Sequence, residues 1–223
     1  MKDGTRVIHA GLPVAEQGEP FLPGPVFAAP FHLRGDPAGT EYVYGRYGNP
    51  TWTRYEQALG ELEGGEAVLF GSGMAACTAV LLTLLRPGSA LVLPSDCYTH
   101  VRSFARAHLG EYGVEVTEMP TPGLTPEKLP ERLDLLWLET PSNPGLDVCD
   151  VRTLSAAARE RGAIVAVDNT FATPLGQRPL ELGADLSVTS ATKYLAGHSD
   201  LLLGYAAARD GELAGRLRDW RTE

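Results

Sequence analysis

Short apolar segments recur along the chain, and each has the length and bounds of a buried β-strand. They lie at residues 67–70, 90–94, 114–119, 135–139, 164–168, 186–190 and 201–208. A stretch with helical character at residues 51–66, with a glycine stop near Gly64, precedes the first of them, and similar stretches at residues 73–86 and 152–162 lie between later ones. Because strands that alternate with helices form βαβ units, the pattern predicts an α/β fold with a mostly parallel seven-stranded sheet and helices on both faces.

The first fifty residues carry a different pattern. They are rich in proline and glycine, as in "GLPVAEQGEPFLPGPVFAAP", and they show no sustained helical period. We therefore predict an extended N-terminal arm over residues 1–50 and a single large domain over residues 51–223. The last residues, "GELAGRLRDWRTE", are predicted to lie within a helix that has no terminating signal.

Four of the predicted strands end in polar or glycine-rich segments. These are "GSGMAA" after residues 67–70, "TPSNP" after 135–139, "DNT" after 164–168 and "SATK" after 186–190. Open parallel sheets bind ligands at the carboxyl ends of their strands. One such segment would be ordinary, but four of them predict a shared pocket at this edge of the sheet.

Composition narrows the classes of function. With 19 basic and 28 acidic residues the net charge is -9, which argues against nucleic-acid binding and against an anionic-membrane surface. Three widely spaced cysteines fit neither a disulfide framework nor zinc spacing, and they favour a reducing compartment. No apolar segment has the length of a signal-peptide core or a membrane span. We predict a cytoplasmic protein without nucleic-acid or membrane partners.

Three polar features at the predicted pocket each allow two interpretations. Lys193 ends an apolar run, so it either extends to the surface or serves as an amine nucleophile in a desolvated site. Asp168 either caps the next segment or remains ionised beside a cationic ring nitrogen. Residues 71–73 form either an ordinary capped turn or an anion site at a helix N-terminus. Ser190 and Thr192 add hydroxyls that can bind phosphate.

The same residues together match the needs of one cofactor. Pyridoxal phosphate requires a lysine for its Schiff base, a carboxylate at its pyridine nitrogen, and hydroxyls with backbone amides at its phosphate. No second histidine lies at ligand spacing from His198, so that residue is predicted to be structural and no metal site is predicted. The pattern therefore indicates a site for pyridoxal 5'-phosphate (PLP).

The chain resembles the Cys/Met-metabolism family of fold-type I PLP enzymes, also called the trans-sulfuration enzymes. The similarity runs from the arm to the end of the chain, on motifs that agree in order and spacing. These are "YGRYGNPT" (44–51), "FGSGMAA" (70–76), "ETPSNP" (139–144), "VDNTFATP" (167–174) and "SATKYLAGHSD" (190–200). The resemblance implies that residues 51–223 are the PLP-binding large domain of that fold.

The resemblance also implies roles for residues around the cofactor ring. Lys193 matches the Schiff-base lysine, and Asp168 matches the partner of the pyridinium nitrogen. Tyr98 matches the tyrosine that stacks on the ring and assists proton transfer, although Thr99 and His100 follow it where the family usually has two small residues. Asn143 matches a residue near the phenolic side of the cofactor.

The phosphate group is implied to contact residues from two chains. Four matching positions belong to the same chain: Gly73, Met74, Ser190 and Thr192. Tyr44 and Arg46, in the arm, match a pair that reaches the phosphate of the neighbouring subunit. The resemblance thus implies self-association with shared active sites, as a dimer or a dimer of dimers.

The function implied is PLP-dependent processing of sulfur amino acids, with cystathionine γ-lyase expected first. Cystathionine γ-synthase, methionine γ-lyase and cystathionine β-lyase are the alternatives within the family. The family's C-terminal domain, with the arginine that binds the substrate α-carboxylate, is expected beyond residue 223. A non-catalytic, oligomerising fragment that binds PLP is therefore an alternative of a different class.

Overall fold

The computed structural model describes residues 2–223, which form an α/β fold around one sheet. Its strands are β1 (Glu66–Phe70), β2 (Ala90–Pro94), β3 (Glu115–Met119), β4 (Leu135–Glu139), β5 (Ile164–Asp168), β6 (Leu186–Thr189) and β7 (Gly204–Ala208). Its α-helices are α1 (Asp3–His9), α2 (Pro50–Glu63), α3 (Gly73–Leu84), α4 (Thr99–Phe104), α5 (Val151–Glu160), α6 (Thr173–Gly176) and α7 (Gly211–Thr222). A π-helical turn at Ala105–Leu109 continues α4, and a 3₁₀ turn occupies Pro126–Lys128.

The sheet has seven strands in the order β1-β7-β6-β5-β4-β2-β3. The neighbours from β6 to β3 pair in parallel, whereas β7 runs antiparallel between β1 and β6. This confirms the predicted mostly parallel sheet. The carboxyl ends of β1, β4, β5 and β6 therefore lie at one edge, together with the start of β7.

The predicted strands are all present, three boundaries differ by one residue, and the start of β7 was wrong by three. Strand β7 begins at Gly204, so residues 201–203 do not belong to it. The reason is a local hydrogen-bond pattern in which the Leu203 amide donates to Thr192 Oγ1 at 2.9 Å and the Leu203 carbonyl accepts from the Thr192 amide at 3.1 Å. The backbone at Leu203 is thus occupied by the turn after β6 and cannot join the ladder.

Helices cover both faces of the sheet, as predicted, and β4 shows why its sequence is continuously apolar. Leu135 and Trp137 pack in the core beneath α3 and α7, whereas Leu136 and Leu138 pack in the core beneath α5. Each strand with two buried faces requires apolar residues at successive positions. A charged residue at the end of such a strand therefore stands out.

The arm differs in part from the prediction, because α1 occupies residues that were predicted to be extended. This helix has no buried residue, and it is attached to the domain by an ion pair in which Arg178 Nη2 lies 2.5 Å from Asp3 Oδ1. That guanidinium lowers the pKa of Asp3. Residues 10–49 contain no helix or strand apart from an isolated bridge between Pro30 and Tyr44. The division into arm and domain at residue 50 stays a prediction.

A second feature of the fold is a buried acid, Glu63, which lies against Tyr205, the second residue of β7. Glu63, in the last turn of α2, is fully buried, and its Oε1 accepts a hydrogen bond from the Tyr205 hydroxyl at 2.6 Å. Burial raises the pKa of Glu63 to about 7, while the Tyr205 and Ser187 hydroxyls oppose that shift. The folded protein therefore holds a proton on Glu63 that the unfolded chain releases near its ordinary pKa of 4.5.

This proton makes stability depend on pH. Because the folded state binds more protons than the unfolded state between about pH 4.5 and about pH 7, the free energy of unfolding should fall over that interval and then level off. Glu63→Gln should remove this pH dependence. Relative to wild type, the free energy of unfolding of the variant should therefore rise by up to about 3 kcal/mol over the same interval. Urea unfolding at several pH values measures it. Glu61→Gln, on the exposed side of the same helix, should retain the wild-type slope; an unchanged slope in Glu63→Gln would contradict the assignment.

Candidate active site

A cavity of about 290 Å³ opens at the carboxyl edge of the sheet. It lies where β4, β5 and β6 end, next to the turn between β1 and α3. Eight of the ten predicted site residues line it: Gly73, Met74, Tyr98, Asn143, Asp168, Ser190, Thr192 and Lys193. The fold thus brings together residues from five separate segments of the chain, namely the four strand ends that the pattern predicts and the loop after β2 that carries Tyr98.

The N-terminus of α3 forms one wall of this cavity. Ser72 has extended backbone geometry, and its Oγ accepts the Ala75 amide at 3.1 Å, so the predicted serine cap is present. A Cβ atom at Gly73 would lie 2.6 Å from the Ser190 Cβ and 2.8 Å from its Oγ, so only glycine permits this close approach. The first amides of a 12-residue helix therefore lie against a serine hydroxyl, which is the donor set that a phosphate requires.

Two carboxyl groups that lie side by side at the ends of β4 and β5 also line the cavity. Asp168 closes β5 and is 8% exposed, and its Oδ1 accepts the Thr170 amide at 3.0 Å. Glu139 closes β4, is 5% exposed and pairs with Asp168 in the β4–β5 register. Burial raises the pKa of Asp168. Burial, and then the charge of Asp168, raise the pKa of Glu139 to about 8.

Both interpretations of Asp168 are compatible with this geometry. Its contact with the Thr170 amide is the capping contact, and only one of its oxygens is used there. A buried carboxylate that faces a cavity is stabilised by a cationic ligand. A protonated ring nitrogen would supply that partner.

Lys193 lies in the turn after β6, three positions beyond the end of the predicted strand. Its side chain is exposed and lines the cavity, and its backbone amide donates to the Ser190 carbonyl at 3.0 Å. Its amine forms no ion pair in residues 2–223. In the single chain Lys193 is therefore exposed rather than desolvated, which agrees with the surface interpretation, while its unpaired amine lines the cavity.

Tyr98 and Thr192 have neighbours that the motifs did not indicate. The Tyr98 ring is 38% exposed and meets the His100 ring edge-on with a centroid separation of 5.3 Å, and its amide donates to Glu139 Oε2 at 2.7 Å. The Thr192 hydroxyl donates to the Leu203 carbonyl at 3.1 Å and accepts the Leu203 amide. Within one chain, Thr192 thus holds the turn that carries Lys193. Its hydroxyl hydrogen and one lone pair are already used by Leu203, so one lone pair of Oγ1 remains for another donor.

Tyr44 and Arg46 lie outside the cavity of their own chain. Arg46 Nη1 donates to the Thr222 carbonyl at 3.3 Å, and its guanidinium lies over the Tyr44 and Tyr47 rings at 5.9 and 5.3 Å. The single chain therefore does not bring this predicted pair to the site. Their role at a neighbouring site stays a prediction.

Sequence reasoning missed Glu139, Thr170 and Cys77 among the lining residues. The rule that identified Asp168, a carboxylate at the end of an apolar strand, applies equally to Glu139. Thr170 positions the start of the lysine turn, because its Oγ1 accepts the Ser190 amide at 2.9 Å. Cys77 packs in the apolar core, and burial raises the pKa of its thiol. His198 contacts the Ala196 carbonyl through Nδ1 at 2.6 Å, a local contact.

Comparison with known proteins identifies the family. A sequence profile of the Cys/Met metabolism PLP-dependent enzymes matches residues 25–222. The chain belongs to this family. A Streptomyces coelicolor protein provisionally named cystathionine γ-lyase is 58% identical over 224 residues, which cover 98% of this chain and 57% of that protein. Escherichia coli cystathionine γ-synthase is 39% identical over 222 residues, which cover 98% of this chain and 58% of that enzyme.

Solved structures of Cys/Met-metabolism enzymes share the fold. Cystathionine γ-synthase from Xanthomonas oryzae pv. oryzae in complex with cystathionine has a TM-score of 0.92 and 36% identity, over 100% of this chain and 58% of that one. The predicted fold-type I PLP-binding architecture is therefore confirmed. The chain spans somewhat more than half the length of these relatives. No helix in residues 2–223 combines the length and the apolar character needed to cross a bilayer.

PLP is the cofactor of the Cys/Met-metabolism family, and the residues of the cavity fit it. The α3 amides and the Ser190 hydroxyl match the phosphate, and the buried Asp168 carboxyl matches the ring nitrogen. Lys193 supplies the free amine, and the exposed face of Tyr98 supplies a ring for stacking. Each of these groups lines the same cavity.

Proposed function

We propose that this chain forms the cofactor-binding part of a cystathionine γ-lyase. The observation that carries the proposal is the cavity in which Lys193 and Asp168 meet the N-terminus of α3, together with 58% identity to the Streptomyces coelicolor relative. Identity to the γ-synthase is 39%, which places that activity second. The reaction converts cystathionine and water to cysteine, 2-oxobutyrate and ammonia.

Bound PLP supplies an electron sink for the electrons of a broken Cα–H bond. The side chains around it do the positioning and the proton transfers. Lys193 Nζ would hold PLP through its aldehyde group and would accept the proton from the substrate Cα. The Asp168 carboxylate holds a proton on the ring nitrogen. The Tyr98 hydroxyl gives a proton to the departing sulfur, while Gly73 and Ser190 hold the phosphate.

Product analysis tests the activity. The PLP-loaded chain, and a chimaera in which the Streptomyces coelicolor relative supplies the residues after Glu223, are incubated with L-cystathionine. Cysteine with 2-oxobutyrate supports γ-elimination, whereas homocysteine with pyruvate would identify β-elimination. PLP bound without products from either protein would favour the non-catalytic, oligomerising alternative.

Asp168→Asn tests the electron sink. The charge-assisted hydrogen bond to the ring nitrogen is lost, so exchange of the substrate α-proton with deuterated solvent should slow by about 10- to 100-fold. Proton NMR of the amino acid measures that rate. Asp185→Asn is the matched control, because Asp185 Oδ2 accepts the Val165 amide at 2.8 Å at the opposite end of β5. Equal rates in Asp168→Asn and Asp185→Asn would count against the role of Asp168.

We also propose that two chains share each site and that the protein works in the cytoplasm. Tyr44 and Arg46 lie outside their own cavity, which is consistent with a role in a neighbouring subunit. Three free cysteines fit a reducing compartment. The substrate is a small sulfur amino acid in this proposal, and the partner is a second copy of the chain.

A further inference from the structure

The function proposed above assigns no role to the carboxyl of Glu139, although this residue lines the cavity. It is buried at the end of β4, beside Asp168, and neither carboxyl forms an ion pair within residues 2–223. Burying a carboxyl is costly unless hydrogen-bond donors satisfy it. The donors that Glu139 has therefore indicate what it does.

The principal donor comes from a distant segment. Glu139 Oε2 accepts the backbone amide of Tyr98 at 2.7 Å, across 41 residues of chain. Tyr98 immediately precedes α4, in the loop that follows β2. The backbone amide of Asn143 also acts on Glu139, in the direction that lowers its pKa. The Glu139 side chain thus links the end of β4 to the loop that follows β2.

The sheet itself does not hold these two loops together. Strands β2 and β4 pair only at Leu91–Leu135 and Val92–Leu136, so their ladder stops short of the cavity edge. Beyond that point, the hydrogen bond that the Tyr98 amide donates to Glu139 links the end of β4 to the loop after β2. Its loss would remove the direct link between Tyr98 and β4, whereas Asp96 would still hold the preceding residues to Thr121.

The charge of the pair is compatible with this anchoring role. Asp168 and Asp96 both oppose ionisation of Glu139, in addition to its burial. The Thr170 hydroxyl and amide favour the ionised form of Asp168. Two adjacent buried carboxyls hold one proton between them more readily than two charges. A neutral Glu139 still accepts the Tyr98 amide through its carbonyl oxygen, and it leaves the negative charge on Asp168.

We propose that Glu139 is a positioning residue whose carboxyl anchors the Tyr98 loop to β4 at the cavity edge, where the β2–β4 ladder has already ended. The inference rests on the proposed function, because it concerns the same PLP site. Glu139 acts through Tyr98, and it contacts neither the cofactor nor the substrate in this assignment. We expect glutamine at this position to anchor the loop equally well, because its amide oxygen also accepts a hydrogen bond.

The first test compares Glu139→Gln with Glu139→Leu. We expect Glu139→Gln to bind PLP within about threefold of wild type, and Glu139→Leu to bind about tenfold more weakly. The visible circular dichroism of bound PLP should weaken only in Glu139→Leu, because the Tyr98 ring is no longer held over the cofactor. Glu139→Met, which has similar length and no oxygen acceptor, gives the same comparison if Glu139→Leu does not fold.

A matched control lies at the other end of the same strand. Asp134 precedes β4, and its Oδ2 accepts the Ala90 amide at the start of β2 at 2.7 Å. Asp134→Leu therefore removes an equivalent link between the same two strands, away from the cavity. It should lower the unfolding temperature and leave both PLP affinity and the visible circular dichroism unchanged. Equal spectral changes in Glu139→Leu and Asp134→Leu would reduce Glu139 to a general structural role.

A double-mutant cycle isolates the dependence on Tyr98. In a Tyr98→Ala background, adding Glu139→Leu should change PLP affinity by less than about threefold, because the group that Glu139 positions is already absent. A full tenfold loss in that background would overturn the inference, as would wild-type affinity and spectrum in Glu139→Leu itself. Failure of the wild-type chain to bind PLP would instead contradict the proposed function.

Discussion

Lys193→Ala should abolish covalent capture of PLP. Borohydride reduction of the PLP-loaded wild-type chain is expected to fix one pyridoxyl group on Lys193, because this amine lines the cavity without a counter-ion. In Lys193→Ala the labelling should fall to background, a loss of roughly a hundredfold or more. Mass spectrometry of the reduced, digested protein locates and quantifies the label.

The composition makes this experiment easy to interpret. The chain has three lysines, Lys2, Lys128 and Lys193. Lys128→Ala is the control, because its Nζ donates to the Gly123 carbonyl in an exposed turn and does not line the cavity. It should retain wild-type labelling. A pyridoxyl group found mainly on Lys2 or Lys128 would refute the assignment of Lys193.

Mixing Arg46→Ala with Lys193→Ala should restore capture that neither variant shows alone. Arginine binds phosphate through two parallel charge-assisted hydrogen bonds, so its loss should weaken PLP binding by about 10- to 100-fold. If the PLP concentration is kept below the dissociation constant of the complex between PLP and Arg46→Ala, that variant should carry little label. If Arg46 serves the neighbouring subunit, each mixed dimer has one intact site.

Random association predicts the amount of label in this mixture. About half of the dimers are mixed and each has one good site of two, so the label should reach roughly a quarter of the wild-type level. If Arg46 serves its own chain, every site retains one defect and the label stays at half of the Arg46→Ala value. As a control, Arg34→Ala, also in the arm and exposed, mixed with Lys193→Ala should give about half of the wild-type label.

The amino-acid sequence alone determined the sheet and the edge at which the site lies. Seven apolar segments correspond to seven strands, because burial on both faces imposes a local pattern of apolar residues that is legible without tertiary contacts. Asp168 and Lys193 were identified in the same way, since polar groups at the ends of buried segments are costly without a task. The family motifs added Tyr98 and Asn143, which the cavity also contains.

Only the tertiary structure decided how distant segments meet. An apolar segment does not reveal its direction, so the antiparallel placement of β7 required the assembled sheet. The helix at Asp3–His9 forms where the sequence shows no helical repeat of apolar residues. It contacts the domain through Arg178, which lies 175 residues from Asp3 in the sequence. The bond from Glu139 to Tyr98 spans 41 residues and bridges strands whose ladder has ended. Such contacts depend on which strands become neighbours, and that is a property of the whole fold rather than of any one segment.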